Sequence, residues 1–424
     1  MLTGRRLLVA ISGSIAAVKL PLVVSALVQL GAEVRCVLTP SAERLVSPVA
    51  LASLSRQACA VEALHWDASQ PRPLHIDLAG WAELVLLAPL TATTLARLVH
   101  GLADNLLTST LLACRAPLVV APAMNTDMWQ APAVQHNWQN LQRQPHVIPV
   151  DPGRGLLACD RRGEGRMAEP ELLIAACRGA LASGGHQDLR GQRILVSAGP
   201  TREALDSARC LTNPSSGRMG VAMAVAARLR GAAVTLVHGP LQAVPSAWLD
   251  GLDCHPVGAA AEMMACLLRL QPCHDGVVMA AAVADQRPVQ RSAVKLPKAD
   301  LPHALQLEEV EDIARLLHQR RSPGQWMLGF AAQDGDLLPP ARAKRLHKGF
   351  DWIFANPIDQ PGTGFASQRN GGWLIDDAGE RHFATADKLD LANQLWSALQ
   401  PRLQGGVQVA ASPSGTRSEA AGEH

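Results

Sequence analysis

The stretch LVVAPAMNTDMW, Leu118 to Trp129, opens as a short, wholly apolar run and turns polar at Pro122. A continuous apolar run of this length, bounded by a turn, reads as a strand buried on both faces of a parallel sheet. The turn that follows, PAMNTDMW, then places the carboxamide of Asn125 where such a strand ends. Open α/β sheets hold their ligands outside the carboxyl ends of the strands, so this stretch predicts both the fold class and a site.

Outward from that strand, the first half alternates apolar runs with amphipathic stretches. Strands are expected at Arg6–Ile11, Glu33–Leu38, Leu84–Ala88, Pro117–Ala121 and His146–Val150, with helical patterns such as Ala17–Leu30 between them and Gly31 as a helix-terminating glycine. Strand, helix, strand is the signature of a parallel sheet. The pattern starts again in the second half, with strands expected at Arg193–Ala198, Ala233–Val237, Gly276–Ala281, Trp326–Phe330 and Trp352–Ala355. Between the halves, ASGGHQDLRG is polar and glycine-rich, which predicts a linker over 182–191. From Gly405 onward the chain is rich in Gly, Ser, Ala and Glu without periodicity, and 405–424 is expected to be a disordered tail. The expected organisation is thus one α/β domain over 1–181 and a second over 192–404.

Composition narrows the function classes. A chain of 424 residues exceeds what one core usually holds, about 250 residues. With 48% hydrophobic and 18% charged residues it is a folded chain, and a net charge of +2 offers no footprint for nucleic acid. The opening MLTGRRLLVAISGS has too short an apolar run for a signal peptide and leads into a glycine turn. No run reaches membrane-spanning length, so a cytoplasmic protein without a membrane partner is expected. The nine cysteines are scattered singly, with no CxxC pair, which argues against a disulfide framework and a zinc site. Cys36, Cys114 and Cys177 fall in apolar periodic runs and read as core.

Both halves open with a strand feeding a turn of small residues, ISGSIAAVK (Ile11 to Lys19) and VSAGPTRE (Val196 to Glu203). Small residues let backbone N–H groups and a helix N-terminus approach an anionic phosphate. Neither is a GxGxxG or GxxxxGK[ST] motif, so each alone is equally compatible with a tight turn that holds nothing. NPSSGRMG (Asn213 to Gly220) adds two hydroxyls and a carboxamide ahead of an Ala/Val-rich helix, a further phosphate cradle.

The ordered set of blocks resembles the family of bacterial bifunctional coenzyme A biosynthesis proteins, in which a phosphopantothenoylcysteine decarboxylase is fused to a phosphopantothenate–cysteine ligase. The first half carries the resemblance in SGSIAAVK, in His75 of PLHIDLAGWAEL, in LADNLLTS, PAMNTDMW and ACDRRGEGRM. The second half carries it in SAGPTREALD, LTNPSSGRMG, AAAVAD, VKLPK, LGFAA and ARAKRLHKGFDWIFAN. It runs from about residue 5 to about residue 400.

For the first half the resemblance implies a flavodoxin-like domain carrying FMN. An amino-acid carboxylate has no place to leave the electron pair when carbon dioxide departs; flavin oxidation of the thiol-bearing carbon supplies the sink. His75, Asn125 and Cys159 match the family's active-site positions. His75 would act as base or proton relay, Asn125 would hold the substrate carboxylate and amide, and Cys159 would donate the proton that completes reduction. Arg154, Arg161 and Arg162 surround Cys159 with positive charge, which favours a thiolate. Gly13, Ser14, Thr39, Thr91 and Ala92 would hold the flavin. The family's PASANT reads PLTATT here, so Thr93 replaces an amide. Relatives assemble around a trimer or a dodecamer of trimers, which implies a homo-oligomer.

For the second half the resemblance implies a Rossmann-like α/β ligase. With CTP and Mg²⁺ it would convert 4′-phosphopantothenate to an acyl-cytidylate, which the amine of cysteine then attacks. Lys295, Lys344 and Lys348 match the triphosphate lysines, with Lys298 as a fourth candidate. Asp285, Phe330 and Ala331 match nucleotide-lining positions and Asn213 the carboxamide that handles the acyl-cytidylate. Lys344 and Lys348 also fit a solvated i,i+4 helix face, and metal ligands are not assigned. Several departures fall in this half: KNPDI becomes EVEDI, with Val310 and Glu311, the Glu of GFAAET becomes Gln333, and KIKK becomes KLPK. Glu309 and Glu311 would repel a triphosphate if they faced it. A flavin decarboxylase whose ligase half serves only as a dimerisation module therefore stays open as an alternative. A binding protein without activity is disfavoured by His75, Asn125 and Cys159 occurring together.

Overall fold

The computed structural model describes residues 2–69, 71–156, 160–360, 364 and 367–405. The first sheet contains β1 (Arg6–Ile11), β2 (Glu33–Leu38), β3 (Cys59–Ala60), β4 (Leu84–Leu90), β5 (Leu118–Pro122) and β6 (Val147–Pro149), in the spatial order β3-β2-β1-β4-β5-β6. All its pairings are parallel. Since β3 is a two-residue edge, the five main strands have the flavodoxin order. Every residue of β4 and β5 is buried, as expected for strands covered by helices on both faces.

A hairpin of β7 (Gly153–Leu156) and β8 (Arg162–Arg166) follows, and the helix Pro170–Ala182 closes the half. The second sheet begins at β9 (Arg193–Ala198). A small hairpin, β10 (Arg202–Ala204) and β11 (Cys210–Thr212), precedes β12 (Ala233–His238), β13 (Asp253–Pro256) and β14 (Gly276–Met279). A second hairpin, β15 (Gln286–Pro288) and β16 (Leu307–Glu309), precedes β17 (Trp326–Gln333), β18 (Trp352–Pro357), β19 (Arg369–Asp376) and β20 (Gly379–Asp387). The order is β13-β12-β9-β14-β17-β18-β19-β20, whose first six strands are parallel and follow the Rossmann order. The antiparallel pair β19–β20 extends the edge.

The expected strands are all present, with ends displaced by a few residues. β13, β19, β20 and the hairpins were not anticipated. In β20 only Phe383 is buried, so the strand carries almost no apolar period to read. The helix Pro170–Ala182 lies between the sheets, and one apolar core runs from Leu7 and Val9 through Leu173 and Ala176 to Val196 and Trp396. The segment 182–191 is packed: Leu189 is buried, its N–H donates to Arg230 O at 3.0 Å, and Asp188 pairs with the buried Arg230. Arg178, on the helix between the sheets, meets Asp387 and Asp390 from the second half. The expected disordered tail, apart from Gly405 itself, which ends the helix Lys388–Gly405, lies outside the described residues.

Candidate active sites

In the first half the strand order reverses between β1 and β4, and a cavity of about 580 Å³ opens there at their carboxyl ends. Its rim is built from the strand-to-helix turns that follow β1, β2 and β4. Ser14 caps the turn Ile15–Lys19, Thr39 caps Pro40–Glu43 and Thr91 caps Ala92–His100, each accepting a backbone N–H through its hydroxyl. Ser12 ties two of these turns together, its Oγ donating to Pro89 O at 2.6 Å and accepting from Thr91 N at 3.1 Å. Gly13, Ser14, Thr39, Thr91 and Ala92 all line the cavity. Hydroxyls and helix N-termini converging on one volume form the donor set that a flavin phosphate requires, and the size is that of a small-molecule site.

Asn125 sits beside this cavity, as the N-cap of Thr126–Gln130, while its neighbours Met124 and Met128 line the cavity wall. Its Oδ1 accepts from Met128 N at 2.8 Å, and its Nδ2 has no partner among the described residues. The carboxamide therefore offers both Nδ2 protons and the second lone pair of Oδ1 to a ligand. Over this turn lies the β7–β8 hairpin. Thr126 Oγ1 donates to Glu164 O at 2.8 Å, Met124 N donates to Gly165 O at 2.9 Å and Arg161 pairs with Asp127 at 2.9 Å. Gly165 has φ +115°, and a Cβ there would lie 2.3 Å from Met124 O, so only glycine permits this approach. Cys159 itself, between the two strands of the hairpin, lies outside the described residues.

His75 is on the helix Leu74–Trp81, outside the cavity lining. Its Nδ1 is 3.2 Å from His65 Nε2, and partial burial together with His65 holds its pKa below the usual imidazole value. Of the three active-site positions expected, Asn125 stands beside this cavity and His75 outside its lining.

The second cavity, of about 410 Å³, lies in the second sheet beyond the carboxyl ends of β14 and β17. Asn213, Asp285, Phe330, Lys344 and Lys348 all line it. Asn213 Nδ2 donates to Ala282 O and Val283 O, both at 3.2 Å, fixing the AAAVAD loop. Gly217 enters the helix Arg218–Leu229 at φ +75°, and a Cβ there would meet Gly199 at 3.1 Å. Lys344 Nζ is 3.5 Å from Phe330 O; burial, then the neighbouring Lys348, lowers its pKa. Lys348 pairs with Asp312, the N-cap of Ile313–Gln319.

Three expectations are corrected here. Ala331 faces away from the cavity and Ala332 lines it with Phe330, because alternate residues of a strand share a face. Lys295 and Lys298 are exposed on the segment between β15 and β16 and do not line the cavity. Glu309 lies on β16 outside the cavity; Glu311 does line it.

The comparisons with known proteins agree with this division. Residues 1–181 match the flavoprotein family and residues 189–402 the DNA/pantothenate metabolism flavoprotein C-terminal domain. The chain is 37% identical over 397 residues to the coenzyme A biosynthesis bifunctional protein CoaBC of Bacillus subtilis, covering 93% of this chain and 96% of that one. It belongs to the CoaBC family. The CoaBC of Escherichia coli is 36% identical over 90% of this chain and 93% of its own. Among solved structures, a cysteine-to-serine mutant of PPC decarboxylase complexed with pantothenoylaminoethenethiol is 35% identical over 41% of this chain and 97% of that one, with a TM-score of 0.38. The C-terminal domain of a CoaBC covers 52% of this chain and 99% of its own at 29% identity, with a TM-score of 0.43.

As a CoaBC, the chain is a bifunctional enzyme of coenzyme A biosynthesis, with a flavoprotein decarboxylase half and a ligase half. Both cavities contain groups that sequence reasoning left without a role. Glu62, Arg97 and Asp104 line the flavin cavity, with Arg97 and Asp104 paired at 2.8 Å. Arg218, Asn356, Asn370 and Lys388 line the ligase cavity. Lys388 opens the helix Lys388–Gly405, where a cation opposes the helix dipole, and this was the one available signal. It is buried, and burial with nearby Arg218 lowers its pKa to about 8. Among the described residues no helix is long and apolar enough to cross a membrane, and no cluster of three or more His, Cys, Asp or Glu could hold a metal ion.

Proposed function

We propose that the ligase half couples cysteine to 4′-phosphopantothenate with CTP and Mg²⁺ through an acyl-cytidylate, and that the other half decarboxylates the product to 4′-phosphopantetheine with FMN. The observation that carries this reading is one chain with two cavities at the carboxyl ends of parallel strands, one rimmed by hydroxyl-capped helix starts and the other by lysines.

In the ligase half, the substrate carboxylate attacks the α-phosphorus of CTP and pyrophosphate leaves. The amine of cysteine then attacks the acyl carbon, releasing CMP and a proton. Lys344 and Lys348 stabilise the charge that builds on the triphosphate. Phe330 offers a face to the base, and Asn213 orients the loop against which the anhydride lies. Mg²⁺ would be held mainly by the phosphates; Asp285, Glu311 and Asp312 are carboxylates that line the same cavity.

In the decarboxylase half, Gly13, Ser14, Thr39, Thr91 and Ala92 hold FMN. When bound, the flavin would supply the electron sink, taking a hydride from the thiol-bearing carbon so that the carboxylate becomes labile and returning it once carbon dioxide has left. Asn125 Nδ2 holds that carboxylate, His75 takes the thiol proton, and Cys159 returns a proton to the product. The work is cytoplasmic and the assembly trimer-based. Pyrophosphate release with 4′-phosphopantothenate, cysteine, Mg²⁺ and each nucleoside triphosphate in turn tests the reading. Release with CTP is expected; yellow protein that releases none with any nucleotide would reduce the second half to a dimerisation module.

A further inference from the structure

Between the flavin cavity and His75 runs a line of side chains that none of the sequence blocks contains. Glu62 lines the cavity, and its Oε2 accepts from Leu106 N at 2.8 Å, at the start of the helix Leu106–Ala113. Its Oε1 lies 3.4 Å from His65 Nδ1, and His65 Nε2 lies 3.2 Å from His75 Nδ1. The two imidazoles meet edge to face, with centroids 5.2 Å apart and planes at 87°. His65 is only 6% exposed, and Trp66 stacks on its ring at 4.4 Å. Asp77, on the helix that carries His75, is engaged by Arg35 at 3.0 Å.

We propose that His65, oriented by Glu62, is the positioning residue that sets the tautomer of His75. The proposal rests on the reading of His75 as the base of the decarboxylase half. A carboxylate only accepts, so it selects the Nδ1–H form of neutral His65. His65 Nε2 is then an acceptor, and it selects the Nδ1–H form of His75. The lone pair of His75 is thereby confined to Nε2, which has no partner among the described residues. A free imidazole favours the opposite tautomer only slightly, so one hydrogen bond suffices to reverse it. Buried His65 and its stacked Trp66 also hold the His75 ring in one plane. The arrangement is that of a base oriented by a third group, the logic of hydrolase triads with histidine in the orienting place.

The test uses the full chain labelled with ¹⁵N-histidine, with and without flavin. The ring resonances of His75 are assigned through His75→Asn. Wild type is expected to show His75 protonated at Nδ1. His65→Leu should turn it toward Nε2–H and move its ionisation upward, because a neighbour that lowers its pKa is gone. Flavin bleaching by 4′-phosphopantothenoylcysteine should slow about 10- to 100-fold in His65→Leu at unchanged flavin content. His65→Gln, whose carboxamide oxygen still accepts from Nδ1–H, should recover much of that loss. A wild-type His75 already protonated at Nε2 overturns the proposal, and so does a tautomer and titration unchanged by His65→Leu. If His75→Asn bleaches at the wild-type rate, the reading of His75 as base fails, whereas the tautomer measurement still judges His65.

Discussion

The two cavities of this chain both open at the carboxyl ends of parallel strands, between β1 and β4 in one sheet and beyond β14 and β17 in the other, yet their linings carry charge differently. The first relies on neutral donors: three hydroxyl caps and the helix starts behind them, with its one lining arginine spent on Asp104. The second gathers Arg218, Lys344, Lys348 and Lys388 around one volume. On the proposed reading, a cofactor that stays bound needs shape and fixed dipoles, whereas a triphosphate that must be bound, cleaved and released needs concentrated charge, some of it partly desolvated. Lys344 and Lys388 have lowered pKa values for that reason.

The strongest way to break this comparison is Lys344→Gln, which should cut pyrophosphate release about 100- to 1,000-fold while flavin absorbance per chain stays constant. A parallel loss of flavin would mean that the two cavities are not independent. Gly165→Ala should do the reverse. Its Cβ would press on Met124 O at 2.3 Å and the backbone there is already left-handed, so the hairpin shifts at a cost of about 1–3 kcal/mol. Decarboxylation should fall by about 10-fold or more with pyrophosphate release intact, read as carbon dioxide and pyrophosphate on one sample.

Charge in the second cavity can also be titrated. The Lys388 ammonium is lost as pH rises through about 8, so kcat/KM for the phosphorylated acid should fall across that value, by about 10-fold for one charge-assisted contact. Lys388→Met should flatten the profile. The same depressed pKa means the unfolded chain binds more protons than the fold between about pH 8 and the ordinary lysine value. This residue's destabilising contribution is therefore full below pH 8 and relieved above it. Thr91→Val should have the smallest effect. Removing one cap destabilises the turn by about 1 kcal/mol, which weakens flavin retention about 5-fold by the same arithmetic and leaves pyrophosphate release untouched.

Legibility followed local pattern. The parallel strands of both sheets were readable because buried strands carry continuous apolar runs, and the turns at Ser14 and Asn213 were readable because caps and tight turns need particular residues next to one another in the chain. Ala331 was misread by one residue, since a strand's two faces alternate and a motif does not say which face the cavity takes. The polar segment 182–191 has a linker's composition yet is held by Leu189 and by Asp188 on Arg230, contacts made only when the second domain is present. The hairpin of β19 and β20 was invisible because an edge strand with one buried residue has no period.

The sequence by itself determined a flavodoxin-like and a Rossmann-like α/β half, their strand-to-helix turns and the family, because propensity, capping and strand burial are local in the chain. Only the tertiary structure decided which charges share a cavity. Lys388 and Lys344 come together across 44 residues of chain, Arg178 of the first half meets Asp387 and Asp390 of the second, and His65 finds His75 and Glu62 by the fold of one loop against a helix. Electrostatic coupling and hydrogen bonding depend on distance in space and on burial, and neither is written into the spacing of residues along the chain.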